Sequence, residues 1–123
     1  MTMVRILYVD DEEDIREVVD IALSLDPELE VRLCDGGQAA LEAAASWRPA
    51  LILLDFMMPG MDGPATLARL REDPETANIP VVFVTARSAR ADVEHLISLG
   101  AAGVIAKPFD SMALSATVRD YLP

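Results

Sequence analysis

Short, wholly apolar runs alternate along this chain with stretches whose apolar residues recur at helical spacing. Val4 to Val9 is rich in β-branched residues and stops at Asp10, which predicts a buried strand. From Asp14 onward, Ile15, Val18, Val19, Ala22 and Leu23 mark one helix face, and Asp26-Pro27 ends the pattern. Leu29 to Cys34 alternates like a half-buried outer strand before Gly36-Gly37 turns the chain. Ala39 to Trp47 is alanine-rich and helical, and Ala50 to Leu54 is a continuous apolar strand ending at Asp55.

Phe56 to Gly63 holds two glycines and a proline and reads as a loop, with Pro64 suited to the first turn of the next helix. Leu67 and Leu70 carry that helix to Asp73-Pro74, and Val81 to Val84 forms another buried strand ending at Thr85. Ser88 is placed to cap a helix whose Val93, Leu96 and Ile97 face inward until Gly100 stops it. Gly103 to Ala106 is a short fifth strand. After Lys107-Pro108, Asp110 or Ser111 is placed to cap a last helix with Leu114, Val118, Tyr121 and Leu122 on one face.

Five strands alternating with five helices, three strands being apolar on both sides, predict a parallel sheet covered on both faces. At 123 residues the chain has the size of one domain and buries roughly two-thirds of its unfolded surface on folding. A single domain over residues 1–123 is expected, without an attached effector domain. Although 52% of residues are apolar, runs such as Ala50 to Leu54 are far shorter than the ~18 residues of a membrane span. No signal-peptide pattern precedes the charges that begin at Asp10, and the single Cys34 has neither a disulfide partner nor a Cys/His cluster beside it, so a cytoplasmic location is expected. The net charge of −11 repels nucleic acid and anionic lipid, and no basic patch offsets it. Direct binding to nucleic acid or membrane is not expected.

In open α/β sheets, ligands bind beyond the carboxyl ends of the strands. That rule selects Asp10, Asp11, Asp55, Thr85 and Lys107. Taken singly, they read as a helix cap, a strand-end turn residue, a helix-start hydroxyl and a solvated lysine. Brought to one edge, the three carboxylates repel one another, and a hard divalent cation is the natural answer. Mg²⁺ prefers carboxylate oxygens and keeps several waters, so these aspartates with a backbone carbonyl suit it. Phosphorylation of Asp55 would replace one negative charge by about two, a change Thr85 and Lys107 are equipped to meet.

The motifs Val9-Asp10-Asp11, Leu54-Asp55, Met58-Pro59-Gly60-Met61-Asp62-Gly63, Thr85-Ala86 and Lys107-Pro108-Phe109 together resemble the response-regulator receiver domain, the CheY-like family, across essentially the whole chain. The resemblance implies a flavodoxin-like, doubly wound five-stranded parallel sheet in the order 2-1-3-4-5 with five flanking helices. It implies that Asp55 is the phosphoacceptor, that Asp10 and Asp11 bind Mg²⁺ with Asp55 and the backbone carbonyl of Met57, that Thr85 is the switch hydroxyl, and that Lys107 pairs with the phosphoryl group. The Lys107-Pro108 bond is cis in the family. The donor is expected to be a histidine kinase or histidine phosphotransfer protein. The downstream target is unknown, and a homodimer through the fourth helix, fifth strand and fifth helix is left open. The domain is expected to act as a switch, assisting its own phosphorylation and dephosphorylation, rather than as an enzyme.

Many members carry Tyr or Phe three residues before that lysine, where Val104 stands here, so a swinging ring is not available to report the state of Thr85. Met57 and Arg87, two residues after Asp55 and Thr85, stand at positions that in this family lie beside the phosphoryl group, which implies an influence on how fast it is lost. The remaining readings are a receiver-like protein-interaction module that works without phosphorylation, a flavin-binding domain and an aspartate phosphatase. Asp10-Asp11-Glu12-Glu13 would repel a flavin phosphate, and the phosphatases place their nucleophile on the first strand with an aspartate two residues on, where this chain has Glu12. His95, Trp47 and the methionines at 57, 58 and 61 read as surface or packing residues.

Overall fold

The computed structural model describes residues 3–122. Its elements follow in the order β1 (Val4–Val9), α1 (Glu13–Ser24), β2 (Leu29–Cys34), α2 (Gly37–Trp47), β3 (Leu51–Asp55), α3 (Gly63–Glu72), β4 (Val81–Thr85), α4 (Arg90–Ser98), β5 (Gly103–Ala106) and α5 (Leu114–Asp120). The strands form one parallel sheet in the order β2-β1-β3-β4-β5, as the resemblance implied. The strand order reverses between β1 and β3, which opens a crevice at their carboxyl ends.

Two apolar layers cover the sheet. On one side Ala40, Ala43 and Ala44 of α2, Leu67 and Leu70 of α3 and Leu96 of α4 pack on Leu7, Val9, Ile52, Leu54, Val81 and Phe83. On the other, Val19, Ala22 and Leu23 of α1 and Leu114 and Val118 of α5 pack on Ile6, Tyr8, Leu51, Leu53, Val82, Val84 and Ile105. Successive side chains of a strand point to opposite faces. Both faces of β1, β3 and β4 are covered, so the apolar runs are unbroken. Among the described residues, no helix is long and apolar enough to cross a membrane.

Local chemistry marks two helix boundaries. Asp62 accepts a hydrogen bond from the Ala65 amide at 2.9 Å and caps α3, with Pro64 in its first turn. Gly100, at φ +107°, follows α4 in the left-handed conformation that glycine adopts freely. Three expectations need correction. Ser88 does not cap α4; the helix begins after Ala89, whose carbonyl accepts the Val93 amide, and it has no side-chain cap. Neither Asp110 nor Ser111 caps α5, which starts at Leu114 after a separate turn in which Asp110 takes the Met112 amide at 2.9 Å. Val18 and Ile97 are 45% and 44% exposed, because α1 and α4 bury narrower stripes than their full apolar faces.

Candidate functional site

Strand register brings the acidic residues together. Val9 of β1 pairs with Leu54 of β3, so Asp10 and Asp55 leave adjacent strands at the same level. Thr85 pairs with Ala106, and the next amide, that of Lys107, donates to the Thr85 carbonyl at 2.8 Å. The Lys107–Pro108 peptide is cis. Oxygens of Asp10, Asp11 and Asp55 lie within 4.8 Å of one another. Asp11 is exposed, whereas Asp10 is fully buried and Asp55 nearly so.

Lys107 ties this group together. Its ammonium donates to Asp10 Oδ2 at 3.1 Å and to Asp55 Oδ1 at 3.0 Å. Asp10 Oδ2 also accepts the Tyr8 hydroxyl at 2.7 Å, and Asp10 Oδ1 accepts the Glu12 amide at 3.0 Å. Burial raises the Asp55 carboxyl to about 6; the hydrogen bond from Lys107 opposes the rise and the Asp10 charge adds to it. Burial works against the charge of Lys107, but its hydrogen bonds to Asp55 and Asp10 outweigh that cost and raise its pKa. The pocket is thus one cation among three carboxylates. A hard cation fits this all-oxygen set, whose three carboxylates converge within a few ångströms.

Thr85 reaches the same edge but makes no hydrogen bond to Asp55. It is buried, and its hydroxyl accepts the Arg87 amide at 3.0 Å. Arg87 is exposed and, with Phe56, Thr85, Asp92, His95 and Leu96, lines a cavity of about 180 Å³. The side chain of Met57 is 69% exposed, whereas Met58 is buried. The loop returns at Gly63, where an added Cβ would lie 2.7 Å from the Asp55 carbonyl and 2.8 Å from the Phe83 ring. Only glycine permits that approach. Val104 is half-buried beside Phe83 across the β4–β5 pair.

Two contacts to Asp10 were not anticipated from the sequence. Tyr8 reaches its carboxylate, and Arg16 of α1 donates from Nη1 to its backbone carbonyl at 2.8 Å. A signal for the first existed: a tyrosine inside an aliphatic strand needs a partner for its hydroxyl, and Asp10 lies two residues on. The second had no comparable signal, since Arg16 interrupts an acidic helix face in the manner of any surface charge.

Comparison with known proteins agrees with this geometry. The family model described as "Response regulator receiver domain" matches residues 6–119. The chain is 42% identical over 115 residues to response regulator PleD of Caulobacter vibrioides, covering 94% of this chain and 25% of that protein. It is 39% identical over 118 residues to DNA-binding response regulator MtrA of Mycolicibacterium paratuberculosis, covering 96% of this chain and 51% of that protein. The chain therefore spans a quarter to about half of the length of these relatives. Among solved structures, chemotaxis response regulator CheY4 of Vibrio cholerae superposes with a TM-score of 0.90 at 30% identity, covering 98% of this chain and all of that one. The signal receiver domain of NarL from Mycobacterium tuberculosis gives 0.86 at 35% identity, covering 98% and 96% of the two chains.

Proposed function

This chain belongs to the response regulator receiver domain family, and on that premise we propose that Asp55 accepts a phosphoryl group from the phosphohistidine of a sensor kinase or phosphotransfer protein. The observation that carries this reading is the Lys107 ammonium shared between Asp10 and Asp55 at the sheet edge. In the transfer a carboxylate oxygen of Asp55 forms the new bond to phosphorus as the phosphorus–nitrogen bond of the donor breaks, and the departing imidazole takes a proton from solvent. Catalysis of such a step depends chiefly on in-line positioning and on neutralising the charge of the transferring oxygens.

Asp10, Asp11, Asp55 and the Met57 carbonyl would hold Mg²⁺, which supplies charge neutralisation to the phosphoryl oxygens. Lys107 stays in reach of the Asp55 oxygens throughout. Thr85 exchanges its bond with the Arg87 amide for one to the phosphoryl group, which repositions the loop that leads into α4. With Val104 in place of a mobile ring, this loop carries the change of state to a protein partner. Arg87, on the same loop, screens the added negative charge.

The direct test is incubation with Mg²⁺ and acetyl phosphate, followed by intact mass. One phosphoryl adduct is expected on the wild type and none on Asp55→Asn. Absence of the adduct, or its survival in that variant, would reject the reading.

A further inference from the structure

Tyr8 is the next-to-last residue of β1, 1% exposed, with its ring in the layer beneath α1 and α5. An aliphatic residue would fill an apolar layer without the cost of a buried hydroxyl. The hydroxyl is satisfied by Asp10 Oδ2 at 2.7 Å. Asp10 is 0% exposed, so bulk water does not compensate its carboxylate. Its donors are the Glu12 amide on Oδ1, and Tyr8 and Lys107 together on Oδ2. Arg16 reaches only the backbone carbonyl of Asp10 and does not share the load.

Lys107 therefore has two obligations, one to Asp10 and one to Asp55. When negative charge grows on the Asp55 side, the ammonium is drawn there and its bond to Asp10 weakens. Loss of that bond would leave a buried carboxylate oxygen bare unless a second donor remained. Tyr8 is that donor.

We propose that Tyr8 is a positioning residue for the phosphoryl-accepting reaction: its buried hydroxyl fixes the Asp10 carboxylate and carries part of its charge, which frees Lys107 to serve the oxygens on Asp55. The inference rests on the acceptor reading of Asp55 given above. Without the hydroxyl, Lys107 is the one remaining side-chain donor to Asp10 Oδ2 and is held there. Replacement by phenylalanine keeps the ring and removes only that donor.

The test is a double-mutant cycle between Tyr8→Phe and Lys107→Met, read in two ways. In metal-free protein, the two losses in thermal midpoint should exceed additivity by at least about 4 °C, because Oδ2 is bare only when both donors are gone. Failure of the double variant to fold, with both single variants folded, counts as the same result. Additive losses would overturn the proposal. With Mg²⁺ and acetyl phosphate, Tyr8→Phe should slow phosphorylation of Asp55 about 10-fold, the scale of lost support to a ligating side chain. In the Lys107→Met background the same change should have no further effect. A wild-type rate in Tyr8→Phe would also overturn the proposal. If the wild-type protein itself took no phosphoryl group, the acceptor reading would fall, and the stability cycle would still decide whether Tyr8 and Lys107 share the support of Asp10.

Discussion

Leu51 to Leu54 and Asp55 are consecutive buried residues of β3, but they answer to opposite demands. The four apolar residues lie between two helical layers, where close packing and loss of water favour the folded state. One residue further, the backbone remains paired with β4 while the side chain enters a cluster of like charges. The sheet interior supplies stability, and the carboxyl-terminal edge consumes part of it. That edge is rigid because its strands are anchored below, so it can hold repelling groups at a fixed separation. The lesson is that the charges are positioned by structure they do not themselves stabilise.

The strongest way to break this contrast is in the interior. Leu53 is fully buried in the layer beneath α1 and α5, and Leu53→Ala should destabilise the domain by about 3–4 kcal/mol in urea unfolding. A loss under 1 kcal/mol would mean that the layer collapses around the gap, contrary to the packing described.

At the edge, the sign should reverse. The Asp55 carboxyl is raised from 3.8 to about 6 by burial, with Lys107 opposing and Asp10 adding to the shift. Between those values the native state binds a proton that the unfolded chain has released, so this contribution to stability falls as pH rises and its cost is complete above about 6. Asp55→Asn should therefore stabilise metal-free protein at pH 7 by about 1–2 kcal/mol, solvent screening included, with the advantage shrinking toward zero at pH 4. Unfolding curves at the two pH values check this; a destabilised variant at pH 7 would show that Lys107 pairing outweighs the crowding.

The smallest effect is expected at the exposed rim. Arg87→Ala should shorten the lifetime of the phosphorylated protein about two- to five-fold, in keeping with the modest strength of a solvent-exposed charge pair. Intact mass followed over time after removal of the phosphodonor measures it, and an unchanged lifetime would rule out a role for Arg87.

The same contrast explains what was legible in the sequence. Strands β1, β3 and β4 declare themselves because both faces are buried, and the residues that follow them fall at one edge by topology alone. Asp10, Asp55 and Lys107 could thus be brought together before any side chain was placed. Local choices at helix ends were less legible: Ser88 is the better cap by residue type, yet α4 begins after Ala89 with no side-chain cap. The exposure of Val18 and Ile97 depends on how closely α1 and α4 approach the sheet, which apolar spacing does not encode. Tyr8 was half legible, since a buried hydroxyl calls for a partner without naming it. Inside an apolar run its ring reads as packing, and the reach of its hydroxyl beyond the strand end is a three-dimensional fact.

Trp47, the single tryptophan, closes α2 before Arg48 turns the chain in a left-handed conformation. The guanidinium groups of Arg5 and Arg32 stand 5.4 and 5.3 Å from the centre of its ring, and Arg5 also donates to its carbonyl. Arg5 precedes Asp10 by five residues along β1, roughly 16 Å at 3.3 Å per residue. The indole is therefore a fluorophore with two cations beside its ring at the far end of the sheet. Its emission will follow melting of α2 and the first two strands, and at that distance it will be nearly blind to the Asp55 edge, so light from this protein reports whether it is folded.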